Sequence, residues 1–265
     1  MKFLHIQNID ASDSLVEKID IPSINERKVA SLMDTKGNSL VDVWFEGNQK
    51  MWSDDTTQWR NRASLDKYPL VSTSPRIFGT LNGQPVLDNP GSSEGVWGYC
   101  NRRVAGDWTI CFAGQLTRPA TAGSNYSIFG VRTDDNTGYT NQPSLNVTEG
   151  GIIRTFSNGG NSATTTFYQA DVNVLFGVPV LITVSQSTRN GVTLRINKTV
   201  ANQNPSATAK TPSTGVSQLA MMAGRAGSAM TIGKVGTILL LNEDISDKAV
   251  QLETIETYLS TKYSI

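Results

Sequence analysis

Along most of the chain apolar and polar residues alternate with a period of two. Between Gly191 and Asn197, Val192, Leu194 and Ile196 alternate with Thr193, Arg195 and Asn197. This predicts a strand with one dry face and one wet face. Trp108, Ile110 and Phe112 alternate with Thr109, Cys111 and Ala113 in the same way. Further short runs read as strands: "LVDVWFEG" from Leu40, "GQPVLDN" from Gly83, "GVWGYC" from Gly95, "YSIFGVRT" from Tyr126 and "GGIIRTFSN" from Gly150. "TTTFYQADV" from Thr164, "VPVLITVSQS" from Val178, "SQLAMMAG" from Ser217 and "GTILLLN" from Gly236 follow. Asn82-Gly83, Pro90-Gly91 and Asn190-Gly191 punctuate them, and Asn-Gly between alternating runs is a strong hairpin signal. About a dozen strands with no helix between them predict an antiparallel sandwich or barrel.

The two ends depart from this pattern. After Asp244 the residues Ala249, Leu252, Ile255 and Leu259 form one helical stripe with Tyr258 beside it. That predicts a helix of about 14 residues, capped by Ser246 or Asp244, with Asp247 at the positive end of its dipole and its apolar stripe on the β domain. Residues 1–38 are charge-rich, are interrupted by Pro22 and close on Lys36-Gly37-Asn38. They read as an extension: either an arm that anchors a partner or sister chain, or a strand and short helix that pad the main domain. Residues 39–265 read as one domain.

Composition narrows the function. Among 265 residues, 23 Lys plus Arg balance 23 Asp plus Glu, so the net charge is zero. This gives no broad pull on nucleic acid or on an anionic membrane. No apolar run reaches the length of a membrane span, and the first residues lack the apolar centre of a signal peptide, so synthesis in a cytosol is expected. The Asn125, Asn146 and Asn197 sequons then read as accidents of composition. Cys100 and Cys111 flank a turn at Ala105-Gly106 that would set them opposite each other across a hairpin. A disulfide or two buried thiols fit that placement, and cytosolic synthesis favours the thiols.

The final segment, Ile238 to Leu241, Glu243-Asp244, Ser246-Asp247, Tyr258-Leu259 and Lys262-Tyr263, resembles the C-terminal signature of concanavalin A-like lectin/glucanase domains, the laminin-G-like jelly rolls. "WRNRAS" from Trp59, "PRIFGTLNGQPVLDN" from Pro75 and the hairpin from Leu181 to Val200 are similar to other blocks of that group. The resemblance covers residues 39–265. It implies an all-β, two-sheet antiparallel jelly-roll sandwich with a C-terminal helix. It is nearly silent on activity, because this fold hosts lectins, glycosidases and structural modules. Stand-alone copies with polar extensions resemble bacteriophage virion proteins: capsid decorations, tail fibres or receptor-binding proteins. That implies display on the virion surface after assembly in the host cytoplasm. The implied partners are other capsid or tail proteins, sister copies in a homo-oligomer such as a trimer, and surface glycans.

Catalytic equipment is sparse. His5 is the single histidine and lies in the extension. No Glu-x-Asp-x-Glu strand of the glucanase kind occurs, and Glu243, Asp244 and Asp247 read as capping residues at the last strand-to-helix junction. Asp54-Asp55 and Asp134-Asp135 are adjacent loop pairs, whose side chains point apart on extended backbone. "TDDNTG" from Thr133 lacks the spacing of a calcium loop, and one His with two Cys does not make a zinc site. The Gly-rich run 222–230 lacks the Lys-Ser/Thr of a phosphate loop. No catalytic residue, metal or cofactor is therefore assigned. For carbohydrate, Trp44 and Trp108 read as core, Trp97 as a strand residue and Trp59 as the fixing residue of a Trp-Arg turn. Trp52, among polar neighbours, reads as an exposed ring. Trp52, Asp134 and Asp135 are the candidate sugar-binding residues. The expected function is non-enzymatic attachment, with a free lectin as the alternative and a glycoside hydrolase as the weaker one.

Overall fold

The computed structural model describes residues 23–53, 57–65, 67–71, 77–89, 98–100, 106–118, 125–133, 144–148, 153–156, 164–167, 176–205, 217–221 and 233–265. In chain order the elements are α1 (Ile24–Ala30), β1 (Val41–Glu46), β2 (Gln58–Trp59), β3 (Leu70–Val71), β4 (Ile77–Leu81), β5 (Gln84–Asn89), β6 (Gly98–Cys100), β7 (Trp108–Leu116) and β8 (Asn125–Thr133). They continue with β9 (Ser144–Thr148), β10 (Ile153–Phe156), β11 (Thr164–Phe167), β12 (Pro179–Ser187), β13 (Gly191–Ile196), β14 (Thr199–Asn204), β15 (Ser217–Met221), β16 (Gly233–Leu241) and α2 (Ala249–Tyr263).

These strands form two eight-stranded sheets. One runs β14-β13-β12-β7-β16-β5-β4, with β1 also on β16. The other runs β11-β10-β9-β8-β15-β6-β3-β2. Every ladder is antiparallel, as the alternation predicts. Asn82 (φ 50°) and Gly83 (φ 78°) join β4 to β5 in the left-handed conformation that a tight hairpin turn demands. The expected β12–β13 hairpin forms too, and Gly191 already pairs with Ser187. Strand β16 pairs with β7 along one edge and divides its other edge between two neighbours: residues 233–235 pair with β5, and residues 237–241 with β1. Gly236 sits at the changeover, where a Cβ would come within 2.5 Å of the Tyr263 ring.

The inter-sheet core takes the expected apolar set. Trp108, Ile110 and Phe112 of β7 and Val192, Leu194 and Ile196 of β13 meet Leu70, Cys100, Ile128, Leu145 and Val147 of the facing sheet. The opposite face of the large sheet is not wet, contrary to the strand pattern alone. Cys111, Ala113, Leu181, Leu239 and Leu241 pack under Leu252, Ile255, Tyr258, Leu259 and Tyr263 of α2 and Val29 of α1. Thr109, Thr183, Ser185, Thr193 and Thr237 are buried as well. Covering by α2 turns this face from solvated to buried, which a period-two pattern does not foresee.

Helix α2 spans 15 residues and starts differently from expectation. Lys248 is the N-cap and makes no side-chain capping bond. Asp244 instead accepts from the Ser246 N–H in a turn ahead of the helix. Ala249 is exposed, and Glu256 is buried on the packed face. The cysteines are free and buried, but they lie in different sheets, Cys100 on β6 and Cys111 on β7. The expected hairpin juxtaposition is therefore overturned: the chain crosses from one sheet to the other between them. At the N-terminal end, α1 has a full capping box, in which Ser23 Oγ accepts from the Glu26 N–H and Glu26 Oε2 from the Ser23 N–H. Among the described residues no helix is long and apolar enough to cross a membrane.

Candidate binding cleft

Of the expected sugar-binding residues, Trp52 is placed and its expected exposure is contradicted. It is 3% exposed, stacks on Trp59 at 5.4 Å and 10°, and meets Phe78 edge-on. The short helical turn Gln49–Met51 folds Trp52 back to bridge Trp59, so its ring enters the inter-sheet core. Trp59 holds its turn as expected, donating its indole N–H to the Glu46 carbonyl at 2.6 Å. Trp44 and Trp108 are core. Asp134, Asp135, Asp54, Asp55, His5, Trp97 and residues 222–230 lie outside the described residues.

The acidic strand-to-helix junction is occupied by structural bonds. Glu243 accepts from Thr35 and Lys248. Asn190, at the tip of the β12–β13 hairpin, donates to Asp244 at 3.0 Å and to Asp247 at 3.4 Å. Among the described residues no three His, Cys, Asp or Glu side chains converge as a metal group.

A second charged centre, which the sequence reading missed, lies where α1, β1 and the end of α2 meet. Strand β1 carries a bulge between Val41 and Val43, after which Val43 and Phe45 face the inter-sheet core. Trp44 and Glu46 therefore point to the helix side. Asn61 is fully buried and pins the following turn, accepting from the Trp44 N–H at 2.8 Å and donating to the Asp42 and Lys67 carbonyls. That places Arg62 over the Trp44 ring at 5.1 Å. Tyr258 and Lys262, one helical turn apart, present the same face of α2.

Glu46 gathers these groups. Its Oε1 accepts from the Trp44 indole at 2.9 Å, the Tyr258 hydroxyl at 2.8 Å and Lys262 Nζ at 2.9 Å. Its Oε2 accepts from Arg62 at 2.8 Å, and Arg62 also donates to Glu26 at 3.0 Å. Burial alone would raise the Glu46 carboxyl; Lys262 and then Arg62 outweigh it and hold the group below its ordinary 4.5. Burial, with Glu46 alongside, pushes the Tyr258 hydroxyl far up, so it stays a donor. Glu46 is thus a fixed anion rather than a proton donor. Glycoside hydrolysis needs an acid whose affinity for its proton is raised.

This network floors a cleft of about 450 Å³. Its rim is formed by Asn25 of α1, Asn48 after β1, Gln84 of the β4–β5 hairpin and Thr261 of α2. Two anions, Glu26 and Glu46, face two cations, Arg62 and Lys262. The sequence held two signals for it: a Glu closing the apolar run "LVDVWFEG", and the Lys262-Tyr263 pair in the last helical turn.

No protein-family model and no curated protein matches the sequence. Solved structures do match the fold. The receptor-binding domain of botulinum neurotoxin type G superposes over 83% of this chain and 51% of its own, with a TM-score of 0.58 at 9% identity. The binding domain of botulinum neurotoxin DC in complex with SialylT covers 83% and 52%, at 0.56 and 8%. A Trypanosoma rangeli sialidase in complex with the inhibitor DANA covers 86% and 36%, at 0.54 and 9%. The chain spans about half the length of the toxin domains and about a third of the sialidase. At such identities the likeness is one of architecture: a two-sheet antiparallel jelly-roll β-sandwich with a C-terminal helix.

Proposed function

We propose that the chain is a non-catalytic attachment module that holds a glycan or a protein at its surface. One observation carries this reading: the carboxylates of this cleft, Glu46 and Glu26, are both engaged by Arg62 and Lys262. The groups around them can hydrogen-bond a partner and cannot supply an acid and a base. The toxin neighbours, described as a receptor-binding domain and as a binding domain in complex with SialylT, agree with attachment. The finer proposal places the module on a bacteriophage particle, beside sister copies such as a trimer and other virion proteins. It rests on the sequence resemblance.

The test applies fluorescent full-length chain to intact cells and to a glycan array, with reducing-sugar release assayed in parallel. Retention without release is expected; sugar release sustained over many turnovers would overturn the reading in favour of a hydrolase. Mass spectrometry of purified particles checks the virion placement, which fails if the chain is absent from them.

A further inference from the structure

We infer that the cleft between α1, the β4–β5 hairpin and the end of α2 takes a neutral, hydroxyl-rich ligand, a small uncharged oligosaccharide, and discriminates against acidic sugars. This rests on the attachment reading and narrows it to one ligand chemistry.

The charges in the cleft are already matched. Arg62 and Lys262 could attract a carboxylate or sulfate, but both contact Glu46, whose side chain is 5% exposed. An acidic ligand would have to draw a cation away and leave that buried anion short of partners, the costly half of breaking a buried ion pair. It would also approach Glu26, which already shares Arg62. A sugar hydroxyl makes neither demand.

The unengaged groups match hydroxyls. The side chains of Asn25, Gln84 and Thr261 line the cleft, and among the described residues they make no hydrogen bond. An amide offers two donors and an acceptor, and a hydroxyl donates and accepts, so each complements a sugar hydroxyl in either sense. Sulfate and carboxylate only accept and would leave the amide oxygens unanswered. The volume, about 450 Å³, falls among small-molecule sites. Tyr258 and Tyr263 border the cleft but are 2% and 0% exposed, so among the described residues no ring lies open there for a sugar to stack on. Affinity then comes from hydrogen bonds alone, with a single-site dissociation constant of about 1 mM, and needs multivalent display to register.

The experiment prints neutral oligosaccharide cores beside the same cores bearing sialic acid or sulfate, and reads them with the full chain displayed multivalently on fluorescent beads. Gln84→Ala and Thr261→Trp, both at the rim, are read in parallel, with thermal unfolding as the folding control. Neutral members should bind. Their acidic counterparts should bind about fivefold more weakly, and each variant should lose about fivefold or more while melting like the parent. Signal should change less than about twofold between roughly 50 and 500 mM salt. A preference for the acidic members, or a signal that salt abolishes, overturns the ligand class and leaves attachment standing. Neutral binding untouched by both variants overturns the cleft as the site. Cell binding that survives periodate oxidation of surface glycans, with a blank array, overturns the inference and leaves attachment to a protein. Binding to neither overturns both.

Discussion

The two faces of the large sheet are both buried, yet they are held by different chemistry. Toward the second sheet the contacts are apolar and aromatic: Phe112, Ile110, Val184 and Leu194, with Trp52 stacked on Trp59 and Phe45 packed beside them. Toward α2 the apolar contacts are interleaved with polar ones. Thr109 meets Ser185, Thr237 meets Tyr263, Thr183 and Arg195 meet Glu256, and Glu46 meets Tyr258 and Lys262. Apolar packing is strong but tolerant of rearrangement, whereas a fully satisfied polar network accepts one geometry. The comparison teaches that two large apolar clusters differ in what accompanies them: the helix face adds a polar network that fixes where α2 sits. The cleft, formed partly by the end of α2, inherits its shape from that second face.

The largest effect is expected on the aromatic side. Trp59→Ala removes a fully buried ring that stacks on Trp52 and packs at a tilt on Phe45, and its bond to the Glu46 carbonyl. A loss of about 4 kcal/mol is expected, read from urea unfolding. A loss below about 1 kcal/mol would mean that the sheets repack around the gap.

Next comes Glu46→Gln, which keeps the shape and removes the charge. It leaves Arg62 and Lys262 facing a neutral amide, with an expected cost of about 3 kcal/mol. Its pH signature is distinctive. The Glu46 carboxyl is held below its ordinary 4.5 in the fold, so the unfolded chain binds that proton more readily. Its contribution is complete above about pH 4.5 and is lost as pH falls through the lower folded-state value. Stability of the parent should therefore drop more steeply on acidification below pH 4.5 than that of Glu46→Gln. Parallel slopes would show that the carboxyl is not held low.

How far this was legible in the sequence follows the same divide. Period-two burial in Trp108–Phe112 and Val192–Ile196 is a local signal, and so are Asn82-Gly83 and the terminal helix. The strands, their core-facing side chains, the Asn82-Gly83 turn and the helix are realised; the alternation of burial is not, because the opposite face of β7 and β13 is buried too. The helix-face chemistry is not local: Glu26, Glu46, Arg62 and Lys262 meet only after the chain has folded over some 200 positions. Thr193 and Arg195 have the pattern of a solvated face until α2 covers them. Trp52 misled because its immediate neighbours are polar, while its burying partner is Trp59, held by a turn rather than by strand periodicity. Cys100 and Cys111 misled because a short spacer suggested a hairpin where the chain changes sheets.

A sharper probe of the helix face is the Arg195–Glu256 pair, bidentate at 2.9 and 3.0 Å with Glu256 nearly inaccessible. Arg195→Met alone strands the carboxylate and should cost about 2–3 kcal/mol. Adding Glu256→Leu should recover most of that loss, because a matched apolar pair replaces a matched ionic one. If α2 depends on the pair for its position, the recovered double variant should still expose Cys111. That thiol sits beneath the helix and is pushed up to about 12 by burial and by Glu256. Faster alkylation of Cys111 at unchanged stability separates specificity from strength; protection equal to the parent's would show that the apolar contacts position the helix unaided.

The smallest expected effect concerns how α2 begins. Lys248 occupies the N-cap without a capping bond and pairs with Glu243 instead. Lys248→Asn should supply the missing acceptor for the first free N–H groups, a gain of about 1 kcal/mol. It also removes an ion pair whose lysine is a quarter exposed, worth about 0.5 kcal/mol at such a site. The net is a stabilisation of about 0.5 kcal/mol, or roughly 1–2 °C in the thermal midpoint for a chain of this size. In a Glu243→Gln background the pair is already gone, so the same substitution should gain the full capping increment. If Lys248→Asn destabilises both backgrounds alike, the backbone at this position, φ −103° and ψ 79°, does not let a short side chain reach the helix, and the polar junction ahead of α2 rather than a cap sets where the helix starts.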